Sequence, residues 1–204
     1  MINSLINDGY LKTPLIIEAF RKIDRRDFVL SEHYNEAYLN TPLPIGLEQT
    51  ISQPLTVAFM LELLQPSAGE KILDIGAGSG WQTGLLAYCV GKKGKVIAVE
   101  RISELGAMAK NNIAKYNFIK KGIVEVMVAD GSQKIKNHPV FDKIIAAAAV
   151  SGEIPLTWKE ELAVGGKLVA PIGNSIIMID KILPDKFETK EFFGFSFVPL
   201  IVGD

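Results

Sequence analysis

Two carboxylates and three closely spaced glycines stand out in the middle of the 204-residue sequence. Asp74 ends a short apolar run, and Gly76, Gly78 and Gly80 follow it. Glycines let the backbone approach a ligand closely, because no Cβ intervenes and positive φ is allowed. Glu100 follows about 20 positions later, where a carboxylate can accept hydrogen bonds from both hydroxyls of a ribose. The pattern predicts a nucleoside-binding turn; the alternative is a turn that only packs a strand against a helix.

The residues around these glycines have the pattern of a strand, a tight turn, a helix and a second strand. Lys71 to Ile75 and Lys95 to Val99 are short runs of the buried-strand type. Between them, Leu85, Leu86 and Cys89 have helical spacing. A βαβ unit with a right-handed crossover is therefore expected. Cys89, the only cysteine of the sequence, belongs to the apolar face of the helix and is expected in the core.

The glycine spacing favours one of two ligand classes. A dinucleotide-binding turn reads GxGxxG and needs its third glycine where this chain has Trp81. The sequence DIGAGSG instead resembles the first motif of the S-adenosylmethionine-dependent methyltransferases, in which the strand-end carboxylate faces the cationic amino end of the methionine moiety. A nicotinamide oxidoreductase is the disfavoured alternative.

Composition narrows the class of protein. With 48% apolar and 22% charged residues, the chain has an ordinary globular composition. Its formal net charge of −1 and the lack of a basic run disfavour nucleic-acid binding, and base methylation in particular. The longest apolar run, Ile144 to Val150, is too short to span a bilayer, and the N-terminus does not resemble a signal peptide. We expect a cytoplasmic protein with neither nucleic-acid nor membrane partners.

The N-terminal third is expected to hold helices and a loop that covers the site. Thr13-Pro14 is a typical helix start. The charges of Asp24 to Val29 suggest a solvated surface. Asn40 to Pro54 contains three prolines and a glycine, which predicts an ordered loop that is neither helix nor strand. Pro54 to Leu64 then has the pattern of a helix.

The rest of the chain alternates strands and helices and ends in two β-rich segments, Ser175 to Leu183 and Phe187 to Val198, expected to pair as an antiparallel hairpin. The fold class is therefore α/β: a doubly wound, mostly parallel seven-stranded sheet of the Rossmann-like methyltransferase type, with an antiparallel C-terminal hairpin and an N-terminal helical segment. Residues 1–204 are expected to form a single methyltransferase domain. Within it, residues 1–66 supply the N-terminal helices and the active-site loop, and residues 67–204 supply the cofactor-binding sheet and the hairpin.

Several segments together resemble one family, the protein-L-isoaspartate (D-aspartate) O-methyltransferases. They occur in the family's order and are PLPIG at Pro42 to Gly46, QTIS at Gln49 to Ser52 with Pro54, ILDIGAGSG at Ile72 to Gly80, Val99-Glu100-Arg101, Asp130-Gly131, Ile154-Pro155, GGKLVAPIG at Gly165 to Gly173 and FVPL at Phe197 to Leu200. PLPIG followed by QTIS is much more specific than the glycine motif.

The resemblance implies S-adenosyl-L-methionine as cofactor, S-adenosyl-L-homocysteine as product and isoaspartyl-containing proteins and peptides as partners of a monomeric enzyme, with no metal. The implied cofactor-binding residues are Asp74, Gly76, Gly78, Ser79 and Gly80 at the methionine end, Glu100 and Arg101 at the ribose, and Asp130 and Gly131 at the adenine. The implied substrate-binding residues are Gln49, Thr50, Ile51 and Ser52, with Val198, Pro199 and Leu200 of the tail. Ser52 is the implied catalytic residue, donating to the acceptor carboxylate.

This chemistry needs no general base, because a carboxylate nucleophile with a pKa near 4 is already ionised at neutral pH. It needs in-line placement and exclusion of water, which one hydroxyl and an ordered loop can provide. From its position, Ser52 could equally cap the helix that begins at Pro54, and Asp130 could be a turn carboxylate.

Three residues depart from the family pattern. Asn40 replaces an aspartate, Glu48 replaces the glycine before the QTIS glutamine, and Trp81 replaces a tyrosine. Glu48 would alter the loop backbone if its φ is positive. The alternative function is therefore a catalytically impaired, cofactor-binding homologue that acts through protein partners.

Overall fold

The computed structural model describes residues 1–138 and 140–203. The chain begins with helices α1 (Ile2–Asn7) and α2 (Pro14–Lys22), followed by short 3-10 helices at Arg25–Phe28 and Ser31–His33. A small antiparallel hairpin, β1 (Leu43–Gly46) and β2 (Gln49–Ile51), precedes helix α3 (Pro54–Leu64). No helix of the described residues is long and apolar enough to cross a bilayer.

The remainder forms one sheet and its covering helices. In chain order these are β3 (Lys71–Ile75), α4 (Trp81–Val90), a 3-10 turn (Gly91–Lys93), β4 (Lys95–Glu100), α5 (Ser103–Ala114), β5 (Val124–Val128), β6 (Phe141–Ala146), α6 (Leu156–Glu161), β7 (Leu162–Ile172), β8 (Ser175–Leu183) and β9 (Lys186–Phe193). The strand order is β5-β4-β3-β6-β7-β8-β9. Pairing is parallel from β5 to β7, whereas β8 is antiparallel to both of its neighbours. The predicted fold class is confirmed.

The two faces of the sheet are covered unequally. The consecutive residues Ile72 and Leu73 of β3 point to opposite faces of the sheet and belong to different buried clusters. The larger cluster holds residues of α1 to α5, and the smaller one is built around Trp158 of α6. Asp74 alternates with Leu73 and so points to the face on which α4 lies. This placement decides which side chains can reach it.

The hairpin of β1 and β2 corrects the prediction of an irregular loop at 40–54. Pro44 pairs with Thr50 in an isolated two-stranded ribbon, where a missing proline N–H is tolerated at a free edge. The turn has positive φ at both Leu47 (52°) and Glu48 (59°), which is the requirement of a two-residue hairpin turn. The sequence lacked the usual Asn-Gly signal, so this turn escaped prediction.

The C-terminal tail leaves the sheet earlier than expected. β9 ends at Phe193 and not at Val198, because Gly194 (φ 99°) turns the chain away from the edge. The tail then returns to the carboxyl ends of the strands. There, the N–H of Ala149 donates to the carbonyl of Val198 (2.7 Å), and the N–H of Leu200 donates to the carbonyl of Ala149 (2.7 Å).

Two further expectations for the N-terminal region had different outcomes. The predicted helix start is confirmed, since α2 begins at Pro14 with Thr13 at the N-cap position, although the Thr13 side chain makes no capping bond. Glu62 accepts from the N–H of Lys12 (2.7 Å), the N–H of Thr13 (2.8 Å) and the Thr13 hydroxyl (2.7 Å), so the Thr13 hydroxyl is engaged in a long-range contact. Arg25, expected on a solvated surface, is fully buried.

Candidate active site

A cleft opens at the carboxyl ends of the parallel strands, where ligand sites of open α/β sheets are found. Its walls are the glycine turn after β3, the end of β4, and the segments that follow β5 and β6. The hairpin of β1 and β2 and the C-terminal tail close its other side. The empty volume of the cleft, counted out to its open mouth, is about 950 Å³.

Most of the predicted site residues meet around this cleft. Those that line it are Gln49, Thr50, Ile51 and Ser52 of the hairpin, Gly76, Gly78 and Ser79 of the turn, Glu100 and Arg101 at the end of β4, Gly131, and Val198, Pro199 and Leu200 of the tail. Asp74, Gly80 and Asp130 do not line it, and each lies just behind the wall.

Glu100 connects the glycine turn to the end of β4. Its carboxylate accepts a hydrogen bond from the N–H of Gly78 (2.8 Å) and another from the N–H of Ile102 (3.0 Å). The side chain is 7% exposed and still borders the cleft. Because a carboxylate offers about four lone-pair sites, Glu100 can hold the turn in place and accept further donors from a ligand.

Asp74 lies beneath the turn and does not face the cleft. It is fully buried and accepts hydrogen bonds from the Thr83 hydroxyl (2.6 Å) and the Gln82 amide (2.8 Å). Burial, and to a smaller extent the charge of Glu100, raises the pKa of Asp74 to about 6, against the effect of these two hydrogen bonds. In this geometry Asp74 fixes the first turn of α4, and Gln82 is the member of the trio that reaches the cleft.

Gly80 has a packing role at the start of α4. It has φ 93°, and a Cβ there would lie 3.0 Å from Cδ1 of Ile113 and 3.1 Å from Cα of Ala109, both on α5. The residue therefore permits close approach of two helices. The neighbouring Ser79 is buried and lines the cleft, and its hydroxyl has no hydrogen-bond partner among the described residues.

Asp130 anchors the tail at the mouth of the cleft. Its carboxylate accepts from the N–H (2.8 Å) and hydroxyl (2.7 Å) of Ser132, and from the N–H of Gly203 (3.0 Å). Burial raises its pKa, but these hydrogen bonds outweigh burial, so the pKa lies below its usual value. Arg101 donates to the carbonyl of Gly203 (2.7 Å). Asp130 and Arg101 thus hold the same tail residue.

Ser52 lines the same cleft from the hairpin side. Helix α3 is not capped by it, because the N–H of Leu55 donates to the side-chain oxygen of Asn40 (2.9 Å). The Ser52 hydroxyl makes no hydrogen bond to any other described residue, whereas its backbone carbonyl accepts from the Arg25 guanidinium (3.1 Å). The capping alternative for Ser52 is therefore not the observed arrangement. Asn40 acts as a cap in its place.

Sequence reasoning missed several residues of the cleft wall. They include Ile45 of the hairpin, Trp81 and Gln82 at the start of α4, and Ala147 and Ala148 after β6. The two alanines follow the last residue of a parallel strand, and this position is itself a signal for a ligand site. Trp81 and Gln82 follow the glycine turn directly, but only the structure shows that they face the cleft.

A mostly parallel seven-stranded sheet with a glycine turn after β3 and a carboxylate at the end of β4 defines the Rossmann-like methyltransferase fold. A structure of a protein-L-isoaspartate O-methyltransferase from Plasmodium falciparum, solved with S-adenosyl-L-homocysteine, has this fold, with a TM-score of 0.88 at 24% identity over 98% of this chain and 96% of that chain. A family model described as protein-L-isoaspartate (D-aspartate) O-methyltransferase matches residues 1–204. The chain belongs to this family.

Relatives with the same description are similar over nearly the whole chain. The protein-L-isoaspartate O-methyltransferase of Aeropyrum pernix is 42% identical, and the alignment covers 98% of this chain and 78% of that protein. The enzyme of the same description from Methanopyrus kandleri is 37% identical, covering 98% of this chain and 89% of that protein. The family resemblance read from PLPIG and QTIS is confirmed.

Proposed function

We propose that the protein transfers a methyl group from S-adenosyl-L-methionine to the free α-carboxylate of L-isoaspartyl residues in damaged proteins and peptides. The methyl ester would close to a succinimide as the backbone nitrogen displaces methanol, and hydrolysis of the succinimide would return some normal aspartate. The observation that supports this best is the shared cleft: the glycine turn, Glu100 and Ser52 all line it.

The cleft residues fit the cofactor that the family uses. The Ser79 hydroxyl is a buried polar atom without a partner among the described residues, so a ligand that bonds to it removes a desolvation cost. A Cβ at Gly78 would lie 3.3 Å from Cδ1 of Ile45 and narrow the same space. We assign Gly76, Gly78 and Ser79 to the methionine end, Glu100 and Arg101 to the ribose, and Gly131 to the adenine. Asp74, Gly80 and Asp130 belong to the site as supports of these residues.

The cofactor, when bound, supplies a methyl group on a sulfonium. The residues of the chain need only hold and desolvate an acceptor that is already charged. The Ser52 hydroxyl donates a hydrogen bond to a carboxylate oxygen. This bond orients the acceptor and leaves its negative charge in place. Gln49, Thr50 and Ile51 carry Ser52, and Val198, Pro199 and Leu200 close the site from the tail. Both segments limit the access of water, and placement of this kind can be worth about 7 to 11 kcal/mol.

A paired-substrate assay tests this function. The protein is incubated with labelled cofactor and either an isoaspartyl peptide or its aspartyl twin. We expect label on the isoaspartyl peptide only; equal labelling of both, or none, would remove the assignment. Cofactor binding by calorimetry without transfer would indicate the impaired homologue instead.

The role of Ser52 is tested with Ser52→Ala. A hydrogen bond to a charged group is worth about 1.5 to 3 kcal/mol, so kcat/KM should fall roughly 10- to 100-fold. Binding of S-adenosyl-L-homocysteine should stay within about 3-fold of the wild type, because the lost contact is on the acceptor side. Thr41→Ala, in the same segment but outside the cleft wall, is the matched control and should leave both quantities unchanged.

We further propose that residues 1–204 act as one methyltransferase domain, of which residues 1–66 carry the helices and hairpin and residues 67–204 the sheet. Ile16 and Phe20 of α2 belong to the same buried cluster as Ile72 and Val96 of the sheet, which supports a single cooperative unfolding transition. A monomer and a cytoplasmic location complete the proposal; the lone buried thiol of Cys89 suits a reducing compartment. Light scattering tests the oligomeric state.

A further inference from the structure

A buried arginine lies behind the acceptor side of the cleft. The Arg25 side chain is 1% exposed. Its guanidinium donates to the backbone carbonyls of Ala37 (2.9 Å), Leu39 (3.4 Å), Thr41 (3.0 Å) and Ser52 (3.1 Å). One side chain therefore joins the segment that leads into the hairpin of β1 and β2 to the segment that leaves it.

Arg25 is buried without a carboxylate counterion among the described residues. No ion pair joins it to a carboxylate of the described residues, and its Nε has no hydrogen-bond partner among them. Burial lowers the pKa of Arg25 to about 10, so the group remains charged at neutral pH. A buried charge without a counterion is costly, and the four carbonyl contacts offset part of that cost. The use of a cation at this position points to a role beyond filling space.

The arrangement around Arg25 gives it a place in the site. The guanidinium carbon lies 5.3 Å from the centroid of the Trp81 ring, and Trp81 lines the cleft. The bond to the Ser52 carbonyl fixes the backbone of a second cleft residue, whose hydroxyl makes no hydrogen bond to another described residue. A planar guanidinium can bond carbonyls on two sides at once, whereas a lysine ammonium is a single point of charge.

We propose that Arg25 is a positioning residue for methyl transfer: by holding the Ser52 carbonyl against residues 37–41, it orients the Ser52 hydroxyl toward the acceptor carboxylate. This inference rests on the proposed function of Ser52. Arg25 acts through the backbone of the hairpin and touches neither the acceptor nor the cofactor in this role.

The test is a double-mutant cycle of Arg25→Lys and Ser52→Ala, with isoaspartyl peptide as acceptor. Arg25→Lys alone should lower kcat/KM roughly 10- to 100-fold, the usual effect of a misplaced reacting group. In the Ser52→Ala background, Arg25→Lys should lower kcat/KM less than about 3-fold, because the hydroxyl that Arg25 orients is no longer present. Arg26→Lys is the matched control, since Arg26 is the exposed neighbour, and it should have no effect in either background.

A second readout does not depend on turnover. In Arg25→Lys, backbone amides of residues 43–53 should exchange with deuterium faster, whereas amides of β3, β4 and β6 should be unchanged. Arg25→Gln, which buries no charge, should give the same exchange pattern. A structural role spread over the whole fold would accelerate exchange in the sheet as well.

The outcomes separate this inference from the function on which it rests. No transfer by the wild type, or full transfer by Ser52→Ala, refutes the proposed function or the role of Ser52. Loss of activity in Ser52→Ala with equal effects of Arg25→Lys in both backgrounds refutes the role of Arg25 alone. Failure of both Arg25 variants to fold would also overturn it, because Arg25 would then support the fold and not the hairpin.

Discussion

Replacing Glu48 by glycine is expected to stabilise the protein, because Glu48 has φ 59° in the turn between β1 and β2. A residue with a Cβ pays about 1 to 2 kcal/mol to adopt this left-handed conformation. Glycine avoids that cost but loses about 0.5 to 1 kcal/mol more conformational freedom on folding. The net gain should be about 0.5 to 1 kcal/mol, which corresponds to a rise in Tm of roughly 1 to 4 °C for a chain of this size.

The assay is urea unfolding of the wild type, Glu48→Gly and Glu48→Ala. Alanine removes the same carboxylate but keeps the Cβ, so Glu48→Ala should lie within about 0.5 kcal/mol of the wild type. The difference between the glycine and alanine variants isolates the backbone contribution. Equal stability of the two variants would refute the assignment of strain to this position. A positive φ would then not explain why the family has glycine at the position of Glu48.

Three further changes test Asp74 behind the cleft, Glu100 in its wall and Glu62 at the start of α2. Asp74→Asn addresses pH: because burial raises the folded-state pKa of Asp74 from 3.8 to about 6, its contribution to stability is fully present below 3.8 and is lost as the pH rises through about 6. The loss is about 3 kcal/mol. The wild-type free energy of unfolding minus that of Asp74→Asn should therefore fall by this amount between pH 3.8 and about 6. A difference that stays constant over this pH range would contradict the raised pKa of Asp74. Glu100→Gln places an amide against the N–H of Gly78 or Ile102. It should weaken S-adenosyl-L-homocysteine binding by roughly 10- to 100-fold in calorimetry, and unchanged affinity would remove Glu100 from the ribose site. Glu62→Ala removes the acceptor of the N–H groups of Lys12 and Thr13 and should cost about 1 kcal/mol in urea unfolding, whereas an effect below about 0.5 kcal/mol would show that water replaces the carboxylate.

Regular elements with a clear hydrophobic period were predictable from the sequence. Helix α3 and strand β3 have the predicted bounds, Pro54–Leu64 and Lys71–Ile75, because each is bounded by local signals and buries a continuous apolar set. The hairpin of β1 and β2 was not predictable, since Leu47 and Glu48 adopt positive φ without the residues that favour it. Where the tail leaves β9 depends on a single glycine within an otherwise β-rich segment, so its strand was predicted too long.

The site was predictable in its residue types and much less in its contacts. Glu100 and Ser79, singled out by the glycine motif, line one cleft with Ser52, singled out by QTIS; glycine turns and strand ends have fixed positions in this fold class. The motifs could not show that Asp74 is turned away from the cleft toward Thr83 and Gln82. That orientation follows from the alternation of side chains along β3 and from the packing of α4.

The contacts that shape the acceptor side share one physical feature: a polar side chain from one segment satisfies the backbone of a distant segment. Arg25 bonds the carbonyl of Ser52, and Asn40 bonds the N–H of Leu55. Neither pair has a sequence spacing that local rules can recognise, because both partners are set by the path of the chain. The Asn40 contact leaves the Ser52 hydroxyl free of the helix, and the Arg25 contact fixes the backbone that carries it. A reaction that needs no base therefore depends on residues that never touch the reacting atoms.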